Sequence, residues 1–210
     1  MPRPQLVLTV YVVTSAGNPP GRGHAEVAAA AVAGGANVVQ LRAPEYDDDQ
    51  LLPLATELAA ACGGKGVLFL VNDRLELAKA AGAAGVHLGQ GDDWRTARER
   101  LGPDLVLGIS VDTAEQAKEA AEAGADYLGV TVWPTATKPE AAAQGLDRIG
   151  EVAQASGLPV VGIGGIDAGN AKQVLDAGAA GVAVISAVGA APDPAAATRE
   201  LVRAVRGTSR

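Results

Sequence analysis

The runs GVLFLVND and GVHLGQGD each end on a carboxylate, Asp73 and Asp92, about twenty residues apart. In both, a short apolar segment stops abruptly and the acid stands just beyond it. Two carboxylates brought to one place, with phosphate oxygens and waters completing the shell, make an ordinary Mg2+ site. Asp73 taken singly, like the neighbouring Asp93, has a structural alternative, because Asp and Asn are favoured helix N-caps. That alternative competes for Asp73, and it is reason enough to leave Asp93 out of the metal set.

A second group is glycine-rich. GIGGI (162–166) closes one apolar segment and opens a helical one, and VISA (184–187) closes the next. Glycine lets backbone N–H groups approach an anion closely, so these turns suit a phosphate. The competing reading is a tight strand-to-helix turn that needs glycine only for its shape. A third group, PTATKPE (134–140), sets Thr135, Ala136, Thr137 and Lys138 in a proline-bracketed loop. The lysine there can meet a phosphate as a point charge, and the other reading is a solvated surface loop. Two histidines are too few for an imidazole metal site, and no Ser-His-Asp or Cys-His arrangement is visible. His24 is expected on the surface near the start of the first helix. Cys62, the only cysteine, is expected as a small core residue.

These groups can act together only if the chain carries them to one rim. Short β-branched runs alternate with longer Ala-rich ones such as DTAEQAKEAAEAG. Eight strand candidates, each followed by a helix candidate, match the count and size of a minimal (β/α)8 TIM barrel, filling 1–210 as a single domain. A Gly-Ala pair recurs at Gly35, Gly82, Gly124 and Gly178, ahead of strands two, four, six and eight. Glycine just past a helix supplies its left-handed C-cap, and recurrence at every second strand implies four (βα)2 quarters. An open doubly wound sheet is the runner-up, but TSAGNPPG after the first strand lacks its Gly-x-Gly-x-x-Gly spacing.

The repeat also fixes faces. Five residues past each repeat glycine stand Gln40, His87, Gly129 and Ala183; seven past it stand Arg42, Gly89, Thr131 and Ile185. Strand alternation puts both sets on one face. Gln40 and Arg42 are too polar to pack on helices, so this face is the barrel interior, with Val39 and Leu41 pointing outward. His87 then points inward, either lining a pocket or serving as a hydrogen-bonded core histidine. Active sites of such barrels lie at the C-terminal strand ends. Those ends collect Gln40, Arg42, Asn72, Asp73, Arg74, His87, Gln90, Asp92, Ser110, Thr135, Thr137, Lys138, Gly164, Gly165 and Ser186.

Composition excludes several classes. A net charge of -7 argues against nucleic acid, whose phosphate backbone wants an excess of Lys and Arg. No apolar run reaches the roughly 18 residues of a membrane span. LVLTVYVVT is β-branched with only Arg3 ahead of it, so it is taken as the first strand and not a signal peptide, which leaves the protein cytoplasmic. The sequence does not decide between a monomer and a homo-oligomer.

Seven motifs, VQLR (39–42), VNDR (71–74), GVHLGQGD (85–92), GIS (108–110), PTATK (134–138), GIGGI (162–166) and VISA (184–187), occur in the order and spacing of thiamine phosphate synthases, and from Tyr11 to the last helix the chain resembles that family. The resemblance implies a (β/α)8 barrel that joins hydroxymethylpyrimidine pyrophosphate to thiazole phosphate with Mg2+, releasing pyrophosphate. It implies Asp73 and Asp92 as Mg2+ ligands. Gln40, Arg42, Asn72, Ser110 and Lys138 would contact the pyrimidine pyrophosphate, with Arg42, Lys138 and Ser110 catalytic. Thr135, Thr137, Gly165, Ile185 and Ser186 would contact the thiazole phosphate, with His87, Ala136 and Gly164 also lining the substrate site.

Three positions depart from the family pattern. Pro44 stands where a lysine is usual, Gly91 where an acid is usual, and TVW (131–133) replaces a longer Gly-Pro-containing segment. Arg22 and Arg74 are candidates to supply the missing cation. The departures keep two alternatives in view, a thiazole tautomerase-like relative and a non-catalytic thiazole phosphate binder.

Overall fold

The computed structural model describes residues 5–15, 22–134 and 143–207. Its eight strands are β1 (Val10–Val13), β2 (Val38–Leu41), β3 (Leu68–Asn72), β4 (Gly85–Leu88), β5 (Val106–Ser110), β6 (Tyr127–Thr131), β7 (Val160–Ile163) and β8 (Gly181–Val184). All pair in parallel, each with its sequence neighbour, and β8 returns to β1 to close the barrel. The helices are α1 (His24–Gly34), α2 (Asp48–Gly63), α3 (Leu75–Ala80), α4 (Ala97–Leu101), α5 (Ala114–Glu122), α6 (Asp147–Ser156), α7 (Ala171–Asp176), α8 (Ser186–Gly189) and α9 (Pro194–Arg206).

Local chemistry sets where helices begin and end. Asp47 with Gln50 and Thr113 with Gln116 form capping boxes on α2 and α5, each satisfying otherwise orphaned N–H groups. Asp193 caps α9, and Pro194 follows at its first turn. The four repeat glycines all take positive φ, 93°, 69°, 87° and 100°, where α1, α3, α5 and α7 stop. The Gly-Ala repeat is therefore a helix-ending device, as expected.

Strand alternation divides the apolar side chains into two cores. Val39, Leu41, Phe69, Val71, Val86, Leu88, Leu107 and Ile109 face outward and pack under the helices. Tyr11, Val13, Val38, Leu68, Leu70, Val106, Tyr127, Val161 and Ala183 fill the barrel. Gly108 is required by this filling: a Cβ there would lie 2.2 Å from Cζ of Tyr127 on the adjacent strand. Cys62 is a core residue, 1% exposed, and burial pushes its thiol up to about 11. Among the described residues, no helix is long and apolar enough to cross a membrane.

Candidate active site

The C-terminal strand ends enclose a cavity of roughly 340 Å3. Gln40, Arg42, Asn72, Asp73, His87, Ser110, Gly164, Gly165, Ile185 and Ser186 all line it. So do Gly89, Gly129, Thr131 and Ala183, which completes the two sets that the repeat places on the inner face. Thr135, Ala136, Thr137 and Lys138 lie outside the described residues. The segment leading to them does reach the rim, since a Cβ on Gly165 would stand 3.4 Å from the Pro134 carbonyl oxygen.

Asp73 is not a helix cap. The residue capping α3 is Arg74, whose side chain makes no capping hydrogen bond. Asp73 instead holds φ at 61°, the one non-glycine with positive φ among the described residues. Its N–H donates to the His87 carbonyl at 2.8 Å, which ties the end of β3 to β4, and Asn72 Nδ2 donates to its carboxylate. Asp92 is anchored differently: its Oδ2 accepts the Gly89 N–H at 2.6 Å, and Gly89 lines the cavity. Asp93 accepts the Thr96 hydroxyl at 2.8 Å and serves its own turn. No group of three or more His, Cys, Asp or Glu able to hold a metal occurs among the described residues. Asp73 lines the cavity and Asp92, four residues past the end of β4, does not; carboxylates are the donor type a hard cation takes together with substrate and water oxygens.

The cations are distributed otherwise than the sequence suggests. Arg42 is the one lysine or arginine lining the cavity among the described residues. Arg74 is spent on the β2–α2 loop. Its Nη2 donates to the carbonyls of Tyr46 (2.6 Å) and Ala43 (3.3 Å), and Nη1 pairs with Asp48 at 2.9 Å. Arg22 is held by the carbonyls of Gly189 (3.0 Å) and Ala191 (2.5 Å) and by Glu26 at 3.1 Å. Neither lines the cavity. Both brace loops at the rim.

His24 is the clearest correction. It starts α1, as expected, but it is 5% exposed and not on the surface. Its Nε2 donates to the Glu45 carboxylate at 3.0 Å, and its Nδ1 meets the Thr14 hydroxyl at 2.8 Å. Thr14 Oγ1 also accepts the Arg42 N–H at 3.3 Å, so this histidine supports the backbone that presents Arg42. Burial raises Glu45, but its own backbone N–H, His24 and Arg42 together outweigh that and hold its carboxyl below the usual value. Stability from the pair is thus complete above the ordinary glutamate range and is lost as pH falls through the lowered value. His24→Ala leaves Thr14 buried and short of a partner. It is expected to destabilise the protein by about 2 kcal/mol, read as a lower midpoint in urea unfolding.

Two buried polar features were not foreseen. Gln40 is 3% exposed, and its Nε2 has no hydrogen-bond partner among the described residues. Tyr11 and Tyr127 line the cavity floor and meet hydroxyl to hydroxyl at 3.0 Å. Tyr127 had a signal, since it stands three residues past Gly124 and so shares the parity that puts His87 and Gly129 inside. His87 is both pocket-lining and hydrogen-bonded: Nδ1 to Tyr127 at 2.8 Å, Nε2 to Ser110 at 2.9 Å.

At the far wall, Gly164 and Gly165 have φ of 93° and 65°. A Cβ on the first would lie 2.8 Å from the Trp133 carbonyl oxygen, and one on the second 3.0 Å from Trp133 Cβ. Shape alone therefore demands both glycines, and the same turn leaves their backbone facing the cavity. Asn170 locks it by donating to the Gly165 carbonyl at 2.8 Å, while Asp167 accepts the Gly169 N–H at 2.7 Å.

Known proteins are similar to this chain in sequence and fold. The sequence model of thiamine monophosphate synthase matches residues 10–188. The thiamine-phosphate synthase of Natronomonas pharaonis is 49% identical over 95% of this chain and 96% of its own length. That of Haloarcula marismortui is 48% identical over 93% and 96%. The solved thiamine phosphate pyrophosphorylase of Pyrococcus furiosus superposes with a TM-score of 0.88 at 36% identity, covering 97% of this chain and 98% of that one. The match spans every strand, and the chain belongs to the thiamine monophosphate synthase family.

Proposed function

We propose that the protein is a thiamine phosphate synthase, a transferase that joins hydroxymethylpyrimidine pyrophosphate to thiazole phosphate and releases pyrophosphate. The observation that carries this reading is the Gln40 amide, buried on the cavity wall and unpartnered among the described residues, two residues before Arg42 at the same strand end. A buried N–H without an acceptor is costly, and a ring nitrogen or oxygen of a bound ligand relieves it. Arg42 next to it suits an anionic leaving group.

The chemistry follows from these groups. An electron-rich pyrimidine stabilises a cation on its methylene carbon, so loss of pyrophosphate can precede attack. Arg42 and Lys138 hold the charge that grows on the departing pyrophosphate, with Ser110 as a hydrogen-bond donor. Asp73 and Asp92 would hold Mg2+, which would supply Lewis-acid stabilisation of the same charge. The thiazole nitrogen attacks through a free lone pair, so no general base is needed. The backbone around Gly164, Gly165, Ile185 and Ser186, with Thr135, Ala136 and Thr137, places the thiazole phosphate, and positioning supplies much of the remaining rate.

Purified protein given both substrates and Mg2+ should form thiamine phosphate and pyrophosphate in equal amounts. Isomerisation of thiazole carboxylate phosphate without the pyrimidine would point to the tautomerase, and ligand binding with no turnover would point to the binder. Gln40→Met separates binding from folding. It removes the orphaned amide, so it should stabilise the ligand-free protein by about 1 kcal/mol. It should also raise KM for the pyrimidine substrate about tenfold, because a specific hydrogen bond is lost. A melting curve and a KM measurement read the two effects, and a variant unchanged in KM would remove Gln40 from the substrate.

A further inference from the structure

The hydroxyls under the cavity form a chain whose direction can be worked out by counting protons. Tyr11 Oη and Tyr127 Oη are 3.0 Å apart, Tyr127 Oη and His87 Nδ1 2.8 Å, and His87 Nε2 and Ser110 Oγ 2.9 Å. Tyr11 is 2% exposed and Tyr127 is fully buried. Burial raises both phenols well above their ordinary range, so each keeps its proton. The barrel is cut to make room for the chain. Gly108 clears the space for the Tyr127 ring, and a Cβ on Gly129 would come within 3.2 Å of His87 Cε1.

Tyr11 is the fixed end. Its hydroxyl has one partner among the described residues, Tyr127, and a buried O–H left without an acceptor is costly. Tyr11 therefore donates to Tyr127. Tyr127, already accepting from Tyr11, must give its own proton to His87 Nδ1. That nitrogen is then a bare acceptor, the imidazole is neutral, and its proton sits on Nε2. Nε2–H donates to Ser110 Oγ. The Ser110 hydroxyl proton is the one left over, and Ser110 lines the cavity. The reverse direction would strand the Tyr11 proton in the barrel and spend the Ser110 proton on His87.

We propose that Tyr11 and Tyr127 are positioning residues which polarise this chain, hold His87 as the Nε2–H tautomer and so commit Ser110 to donating a hydrogen bond to an acceptor atom of the bound pyrimidine pyrophosphate. The direction of the chain is independent of the activity. Only the identity of the acceptor, a pyrimidine ring nitrogen or a pyrophosphate oxygen, rests on the synthase reading.

The decisive measurement is the tautomer of His87 in ligand-free, 15N-histidine-labelled protein at neutral pH, assigned by comparison with His87→Gln. Two-bond proton–nitrogen correlations should show Nδ1 unprotonated and Nε2 protonated. In Tyr127→Phe the Nδ1 resonance should move toward a mixture of tautomers. A His87 that carries its proton on Nδ1, or on both nitrogens, in the wild type overturns the proposal whatever the variants do. For the donor role, Ser110→Ala is titrated calorimetrically with inorganic pyrophosphate and, separately, with the hydroxymethylpyrimidine alcohol. Weakening of about tenfold toward one of them identifies the acceptor. Unchanged binding of both would sink the donor role. In turnover, Tyr127→Phe should cost about tenfold in kcat/KM, and Ser110→Ala should cost less in the Tyr127→Phe background than in the wild type. Independent, multiplying effects would contradict the chain. If the wild type turned over nothing, the synthase reading would fail and the tautomer would still decide the chain. Normal turnover with an Nδ1–H histidine would do the opposite.

Discussion

Asp73→Asn should lower kcat/KM by about a hundred- to a thousandfold while leaving the melting temperature nearly unchanged, the range seen when one electrostatic stabiliser of a transition state is removed. The substitution isolates charge from shape. Asp73 sits at φ 61°, a conformation that asparagine also tolerates and most residues do not. The Asp73 N–H that ties β3 to the His87 carbonyl belongs to the backbone and survives. What changes is one negative charge at the rim. If the two carboxylates hold Mg2+ against the pyrophosphate, the loss should appear first as a weaker apparent affinity for the metal, by tenfold or more, in activity measured across a Mg2+ titration. Chelation of the wild type should abolish turnover and readdition should restore it.

Asp92→Asn makes a useful partner to this experiment. Asp92 already commits one carboxylate oxygen to the Gly89 N–H, and an asparagine can keep that bond through its amide oxygen. A matching loss in both variants is expected of a shared cation. Full activity in Asp73→Asn would remove the metal role from that residue, and a loss confined to Asp92→Asn would place the cation elsewhere.

How much of this was legible in the sequence depends on what kind of partner each residue has. The barrel, its closure and its inner face were legible because they rest on periodicity: the Gly-Ala repeat sets both the helix ends and the parity of Gln40, Arg42 and His87. The same parity reaches one layer deeper, to Tyr127. His24 was misplaced because its burial comes from tertiary partners, Thr14 and Glu45, on two other loops. A residue at the start of a helix reads as exposed until those loops are known to fold over it. Arg22 and Arg74 were offered as replacement cations because a sequence shows a charge but not the backbone carbonyls that engage it. Carbonyls belong to every residue and leave no mark in the pattern. The orphaned Gln40 amide is invisible for the same reason, since only the fold shows that none of the described residues meets it.

Those engaged arginines make Arg42 the site of the second large effect. Arg42→Ala should lower kcat/KM by about a thousandfold, with most of the loss in kcat, because charge on the leaving pyrophosphate is greatest as its bond breaks. The size follows from the lack of a second cation on the cavity wall among the described residues. Pro44 stands where the family usually has a lysine, Arg74 is bound to the Ala43 and Tyr46 carbonyls, and Arg22 to those of Gly189 and Ala191. Arg42→Lys should recover only about tenfold of the loss, since an ammonium keeps the charge without the planar two-pronged grip on phosphate. Pro44→Lys tests the explanation directly. Position 44 is exposed, so a lysine there is accommodated at little cost to folding. Added to Arg42→Ala it should restore activity several-fold through a second nearby cation, whereas added to the wild type it should change little at saturating substrate. If Arg42→Ala were nearly as active as the wild type, the charge on the pyrophosphate would have to be carried from the 135–142 segment, and Lys138→Ala would then show the thousandfold loss expected here of Arg42.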